Sequence, residues 1–172
     1  MKKHILLVDG YNMIGHWPEL RKLRDDNLED ARDRLIELLA EYKAQKGWDV
    51  KLVFDAHFAP GVKQTYNQHN LAVIYTAAKE TADECIERLT HELRGRHTEI
   101  FVATSDMTEQ NVVFGLGASR IPASELETDV KTSKKKVDEL TKLTQTERLL
   151  NRITVKPDVA YKLEQMRRGI KE

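Results

Sequence analysis

Four short runs of apolar residues constrain this chain more than any other feature: HILLVD near 4–9, VKLVFD near 50–55, LAVIY at 71–75 and EIFVAT at 99–104. The runs are continuous rather than alternating, so each predicted strand needs cover on both faces, as in a parallel sheet. Helical patterns lie between them. The clearest follows Asn27, a good N-cap, with Glu29 and Asp30 in the first turn, Leu28, Ala31, Leu35, Leu38, Leu39 and Tyr42 at helical spacing, and Gly47 as the stop. A second follows Thr81, where Thr81 and Glu84 have capping-box spacing and Cys85, Ile86, Leu89 and Leu93 form the inner face. A third is expected to begin near Ser105 and to run through DMTEQNVVFGLG. Strand alternating with helix predicts βαβ units with right-handed crossovers, hence a doubly wound α/β fold with helices on both faces of a mostly parallel sheet.

A chain of 172 residues is long enough to bury a real core and fits one domain with an appendage. With 40% hydrophobic and 33% charged residues it reads as globular with a heavily solvated surface. No stretch approaches the roughly 18 apolar residues of a membrane span, and the apolar run in MKKHILLVDG is too short for a signal peptide, so a cytoplasmic protein is expected. Cys85 is the only cysteine, which excludes an internal disulfide and a cysteine-rich zinc site; on an apolar helical face it reads as core. Beyond Pro122 the apolar density falls. The segment ASELETDVKTSKKKVDELTKLTQTERLL is predicted to form one or two polar, basic helices, and KPDVAYKLEQMRRG a short terminal one opened by Pro157. Residues 1–125 are therefore read as the α/β domain, and 126–172 as a basic helical extension packed on or next to it. Residues 1–129 hold 16 Lys and Arg against 22 Asp and Glu, while 130–172 hold 12 against 6. An acidic body with a basic tail is either a polyanion-binding design or a solvated helical surface.

In an open parallel sheet ligands bind beyond the carboxyl ends of the strands, which converts a list of aspartates into a site. Asp9 ends the first run, Asp55 the second, and Asp106 lies just past the fourth; Asp83 sits in the first turn of the helix that follows the third. Each has an ordinary alternative in a turn, a strand end or a helix N-terminus. Their joint placement is the informative fact, because uncompensated carboxylates crowded at one edge repel and do not all stay ionised. A hard divalent cation resolves that conflict. The all-oxygen donor set points to Mg²⁺ or Mn²⁺ rather than zinc, and such an ion suits phosphodiester hydrolysis. Asn12 offers an amide to a phosphate, a water or Asp9 itself, or else closes a local turn; Thr104 and Ser105 either orient a group in the site or cap a helix. Competing motifs are absent or out of context: there is no GxxxxGK[ST], GLGAS at 115–119 follows a helical pattern rather than a strand, and the six histidines do not pair at metal spacing. His57, next to Asp55, is the one histidine singled out as a candidate for touching substrate.

The blocks LLVDGYNMIGHWPEL, VFDAH, ETADE and VATSD, in that order, resemble the YacP-like branch of NYN-domain proteins, which belong with the PIN-like ribonucleases; the resemblance runs over about residues 3–170. It implies a PIN-like three-layer fold and a Mg²⁺ or Mn²⁺ site of acidic residues at the sheet edge. By that resemblance Asp9 looks like the first metal-binding aspartate with Asn12 as its companion, Asp83 like the second essential carboxylate, Asp106 like the third, and Asp55 like a fourth. It also implies endoribonuclease activity on messenger RNA, in association with the ribosome.

An acidic edge repels RNA, so a nuclease of this design needs basic surface elsewhere. The candidates are Lys63, on the loop after FDAHFAPG, and Lys134, Lys135, Lys136, Arg148, Arg152, Arg167 and Arg168 in the tail. Trp17 and Tyr66, in segments read as irregular, are candidates for base stacking or for the core. Two other functions use the same features. A non-catalytic RNA or ribosome adaptor binds through the tail while the acidic edge holds a structural ion. A receiver-like domain phosphorylates one carboxylate, such as Asp55; Gly10 stands where such a domain has a second acidic residue.

Overall fold

The computed structural model describes residues 2–58, 65–106, 117–153 and 157–168. The expected helix through DMTEQNVVFGLG and the candidate Lys63 lie outside them. In chain order the elements are β1 (Lys3–Asp9), α1 (Gly10–His16), α2 (Pro18–Asp26), α3 (Leu28–Lys46), β2 (Asp49–Phe54), a 3₁₀ turn (Ala56–Phe58), β3 (Thr65–Gln68), β4 (Leu71–Tyr75), α4 (Ala82–Leu93), β5 (Thr98–Ala103), β6 (Ser119–Ile121), α5 (Ala123–Ile153) and α6 (Pro157–Arg167).

Among the described residues the strands form a six-stranded sheet in the order β3-β4-β2-β1-β5-β6. Every pairing is parallel except β3 with β4. The fold is thus the expected α/β arrangement. β1 is central, in register with β2 from Ile5↔Asp49 to Asp9↔Val53 and with β5 from Lys3↔Thr98 to Val8↔Ala103. Its continuous apolar run follows from that position. Leu6 and Val8 pack with α1, α2, α3 and the start of α5 on one face, while Ile5 and Leu7 pack with Cys85 and Ile86 of α4 on the other. Burial pushes the Cys85 thiol up to about 11, in keeping with its place in the core.

The helix signals act as read. Asn27 caps α3 by accepting the Glu29 N–H at 3.0 Å, and Gly47 ends that helix at φ 68°, a left-handed conformation that favours glycine. The Thr81–Glu84 capping box is complete in both directions. Two short helices and two short strands go beyond the sequence pattern. The stretch after Asp9 is two short helices, α1 and α2, joined at Trp17 with Pro18 at the first position of the second. β3 and β6 are short edge strands. The polar TYNQ becomes β3 by pairing with β4 across a two-residue turn in which His69 and Asn70 both have positive φ, and SRI becomes β6 by lying parallel to β5.

Trp17, a candidate for base stacking, is 2% exposed, and its indole N–H donates to the Ala123 carbonyl at 2.8 Å. It is core, because the helix break turns what looked like a loop into a packed corner. Tyr66 lies in β3, and its side chain is not among those described.

Two compact units are present, Met1–Lys134 and Lys135–Glu172. The first unit extends past the boundary expected at 125, because Leu126 and Val130 are buried in its core and the Asp129 carboxylate accepts the Tyr42 hydroxyl at 2.6 Å and pairs with Lys46 at 3.0 Å. The second unit contains the rest of α5 together with α6, the short helix expected at Pro157. Among the described residues no helix is long and apolar enough to cross a membrane.

The start of α1 is held by a close approach. A Cβ built on Gly10 overlaps the Phe54 ring, which is fully buried at the end of β2. Gly10→Ala is therefore expected to destabilise the protein by about 1–3 kcal/mol through overpacking, measured by urea unfolding. A variant as stable as the wild type would show that the two segments separate freely.

Candidate functional site

A parallel sheet brings its ligand crevice to the point where successive connections diverge to opposite sides of one strand. Here that strand is β1. The chain leaves it for β2 on one side, and later crosses through α4 to β5 on the other. Asp9 is the last residue of β1 and is therefore at that point. It also caps α1, accepting the Asn12 N–H at 3.3 Å.

The other sequence-predicted carboxylates surround it electrostatically. Asp9 is 8% exposed, and its pKa is pushed up to about 6, first by burial and then by the negative charges of Asp83, Asp106 and Asp55, against the lowering effect of the Asn12 N–H. Asp83 is exposed in the first turn of α4, and Asp106 is exposed just beyond β5, with its own N–H donating to Thr104 Oγ1 at 3.0 Å. Asp55 follows β2. Its Oδ1 accepts the His57 N–H at 2.9 Å and lies 2.6 Å from His57 Nδ1, so the histidine singled out in the sequence is engaged with this carboxylate.

Among the described residues, no three His, Cys, Asp or Glu side chains are grouped closely enough to hold one ion. The carboxylates thus share an electrostatic field around Asp9 without forming a closed ligand shell. As a donor set they still suit a hard divalent cation, being all oxygen and concentrated at one sheet edge.

Asn12 has a specific task. Its Oδ1 accepts the Ser105 N–H at 2.8 Å across 93 residues of sequence, so the first turn after β1 is tied to the segment after β5. Ser105 Oγ in turn accepts the Ala123 N–H at 3.2 Å at the start of α5, and Arg120 Nε donates to the Thr104 carbonyl at 3.1 Å. Ser105 is thereby tied to the first amide of α5, and the helix it is expected to cap lies outside the described residues. These bonds set the spacing between Asp9 and Asp106. No sequence pattern marks them, because donor and acceptor come from separate elements.

The basic candidates divide between the two units. Lys134 ends the first and pairs with Glu41 at 3.5 Å. Lys135, Lys136 and Arg148 are exposed on the part of α5 within the second unit; Arg152 lies in the same helix, its side chain outside the described ones. Arg167 and Arg168 both meet Glu164, at 2.9 and 3.1 Å.

The model of the YacP-like NYN domain matches residues 6–168. The chain belongs to that family. NYN domains are PIN-like and form a nuclease-type family whose members generally use divalent metals. A Bacillus subtilis relative described as uncharacterized protein YacP is 44% identical over 165 residues, covering 96% of this chain and 97% of the relative. The crystal structure of Rae1 (YacP) from Bacillus subtilis superposes with a TM-score of 0.77 at 44% identity, covering 96% of this chain and 95% of that one. A point variant of Rae1 gives 0.70, with 89% and 85% covered. The YacP-like NYN match runs from β1 through the end of α6, so both compact units fall within the family's span.

The raised Asp9 pKa has a signed consequence for stability. The folded value of about 6 exceeds the ordinary value of 3.8, so the folded state holds the proton more tightly. The corresponding stabilisation is complete below about pH 4 and is lost as pH rises through 6. Asp9→Asn removes this dependence and keeps a good N-cap. It is expected to exceed the wild type in stability by roughly 2–3 kcal/mol at pH 7.5 in EDTA, and to match it near pH 4, by urea unfolding at both pH values. A variant no more stable at pH 7.5 would mean that Asp9 is well solvated.

Proposed function

We propose that the protein is a metal-dependent endoribonuclease that hydrolyses phosphodiester bonds in RNA, acting on messenger RNA at the ribosome in the cytoplasm. One observation carries the reading: a buried aspartate at the switch point of a parallel sheet, under the charge of three further aspartates, in a chain of a nuclease-type family. Carboxylates that act on one another, with one of them buried, cost stability, and a fold keeps such a cost where the site has a task.

In this reading Asp9, Asp83 and Asp106, with Asp55 beside them, would hold Mg²⁺ or Mn²⁺. Such an ion would supply an activated water and charge neutralisation at a phosphoryl oxygen, the two needs of phosphodiester hydrolysis. Asp9 supplies an anionic oxygen once the pH is above its raised pKa, which makes binding compete with protons in the range around 6. Asn12 acts through position: its N–H and its amide oxygen hold Asp9 and the Ser105 segment in one frame. Lys135, Lys136, Arg148 and the other cations of the tail supply the attraction for phosphates that the acidic edge lacks.

Asp9→Asn and Asp83→Asn are each expected to reduce cleavage of ribosome-bound messenger RNA on the order of a hundredfold, with EDTA abolishing cleavage and Mn²⁺ restoring it in the wild type alone. A rise in the wild-type thermal midpoint on adding Mn²⁺, absent from Asp9→Asn, checks the metal without any substrate. Wild-type cleavage by both variants sinks the proposal. So does a chain that binds ribosomes and never cuts, which would be an adaptor.

A further inference from the structure

Carboxylates gathered for a metal push a polyphosphate chain away, so a cation close to the acidic edge has particular leverage on binding. Arg32 is placed for this. The crossover helix α3 leaves the carboxyl edge of the sheet and returns to the amino edge, so Arg32, in its second turn, stays near the carboxyl edge. Its Nη1 donates to the Tyr11 hydroxyl at 3.3 Å, and Tyr11 is the second residue after Asp9.

Its partner sets this guanidinium apart from the ion-paired arginines among the described residues. Arg24, Arg34, Arg88, Arg167 and Arg168 each meet a carboxylate. Arg32 meets a neutral phenol instead, and among the described residues it makes no ion pair and no other hydrogen bond. It is half-buried. Burial is the largest single effect and works against its charge; Tyr11, Tyr75 and Glu29 one turn away together outweigh it. Tyr11 itself is braced: its ring lies 5.0 Å from Phe54, which stacks at 5.4 Å on Tyr75, the last residue of β4. A partly desolvated guanidinium, anchored through one nitrogen and with its other donors uncommitted, suits the paired oxygens of a phosphate.

We propose that Arg32, anchored by the Tyr11 hydroxyl at the carboxyl edge of the sheet, binds a backbone phosphate of RNA beside the acidic site. This rests on the ribonuclease reading for the identity of the polyanion and is tested without any cutting. Binding of a fluorescent single-stranded RNA oligonucleotide is measured in EDTA over a series of salt concentrations, with circular dichroism confirming that each variant is folded. Arg32→Gln is expected to weaken binding about tenfold and to reduce the slope of log affinity against log salt by about one. Arg32→Lys keeps the charge but not the fork, so it retains the slope and recovers only part of the affinity. Tyr11→Phe, which leaves Arg32 unanchored, weakens binding by about threefold. Arg34→Ala, the removal of an ion-paired guanidinium from the same helix, stays within about twofold of the wild type.

The proposal is overturned if Arg32→Gln binds with wild-type affinity and slope, or if the wild type binds no RNA. Tyr11→Phe without effect overturns the anchoring. Cleavage of ribosome-bound messenger RNA is scored in a separate arm with Mn²⁺: no cleavage there, together with oligonucleotide binding that still depends on Arg32, sinks the nuclease reading and supports this one.

Discussion

Asp9 carries the one charged side chain, among the described residues, that the fold buries. An ionised carboxylate with little access to water is costly, and three further carboxylates raise the cost. The surrounding architecture can be understood from what keeps it there. β1 is the middle strand, so its end has β2 on one side and β5 on the other, and nothing in a parallel sheet lets it slip toward solvent without losing register on both. Gly10 allows the chain to turn over Phe54 directly into α1, whose Asn12 N–H partly compensates the carboxylate.

Around that point the structure is tied by bonds that are few and specific. Asn12 joins the segment after β1 to the segment after β5, Ser105 joins the latter to α5, and Trp17 joins the corner between α1 and α2 to the same residue of α5. The start of α5 is thus bound to the site by its backbone, and its next two turns are bound by Leu126 and Val130 in the core. What the sequence suggests is the beginning of a tail is, up to Lys134, part of the body that holds the acidic edge.

The same edge has an uneven charge distribution. Asp83 and Asp106 are exposed and Asp55 is engaged with His57, whereas Arg32 comes from α3 without a carboxylate of its own. A site that must hold both a divalent cation and a polyanion needs both signs of charge, kept apart so that they do not cancel each other. Here the separation comes from topology: acids at strand ends and on α4, the guanidinium on the crossover helix of the opposite layer.

Much of this could be read in advance. The four long strands follow from runs too continuous for a half-exposed sheet, α3 and α4 follow from their caps, and the resemblance of four blocks to YacP-like NYN domains matches the family found over residues 6–168. Those features are local, set by hydrophobic pattern and by side chains within one turn of each other. What the sequence by itself determined is therefore which segments pair or coil, and that Asp9 stands where the first strand stops. Only the tertiary structure decided that Asp9 is buried, that Asn12 reaches Ser105, that Trp17 is core, that β3 and β6 are strands at all, and that Arg32 finds Tyr11. Each of these depends on groups brought together from distant parts of the chain, and desolvation and pairing exist only once the sheet has assembled around them.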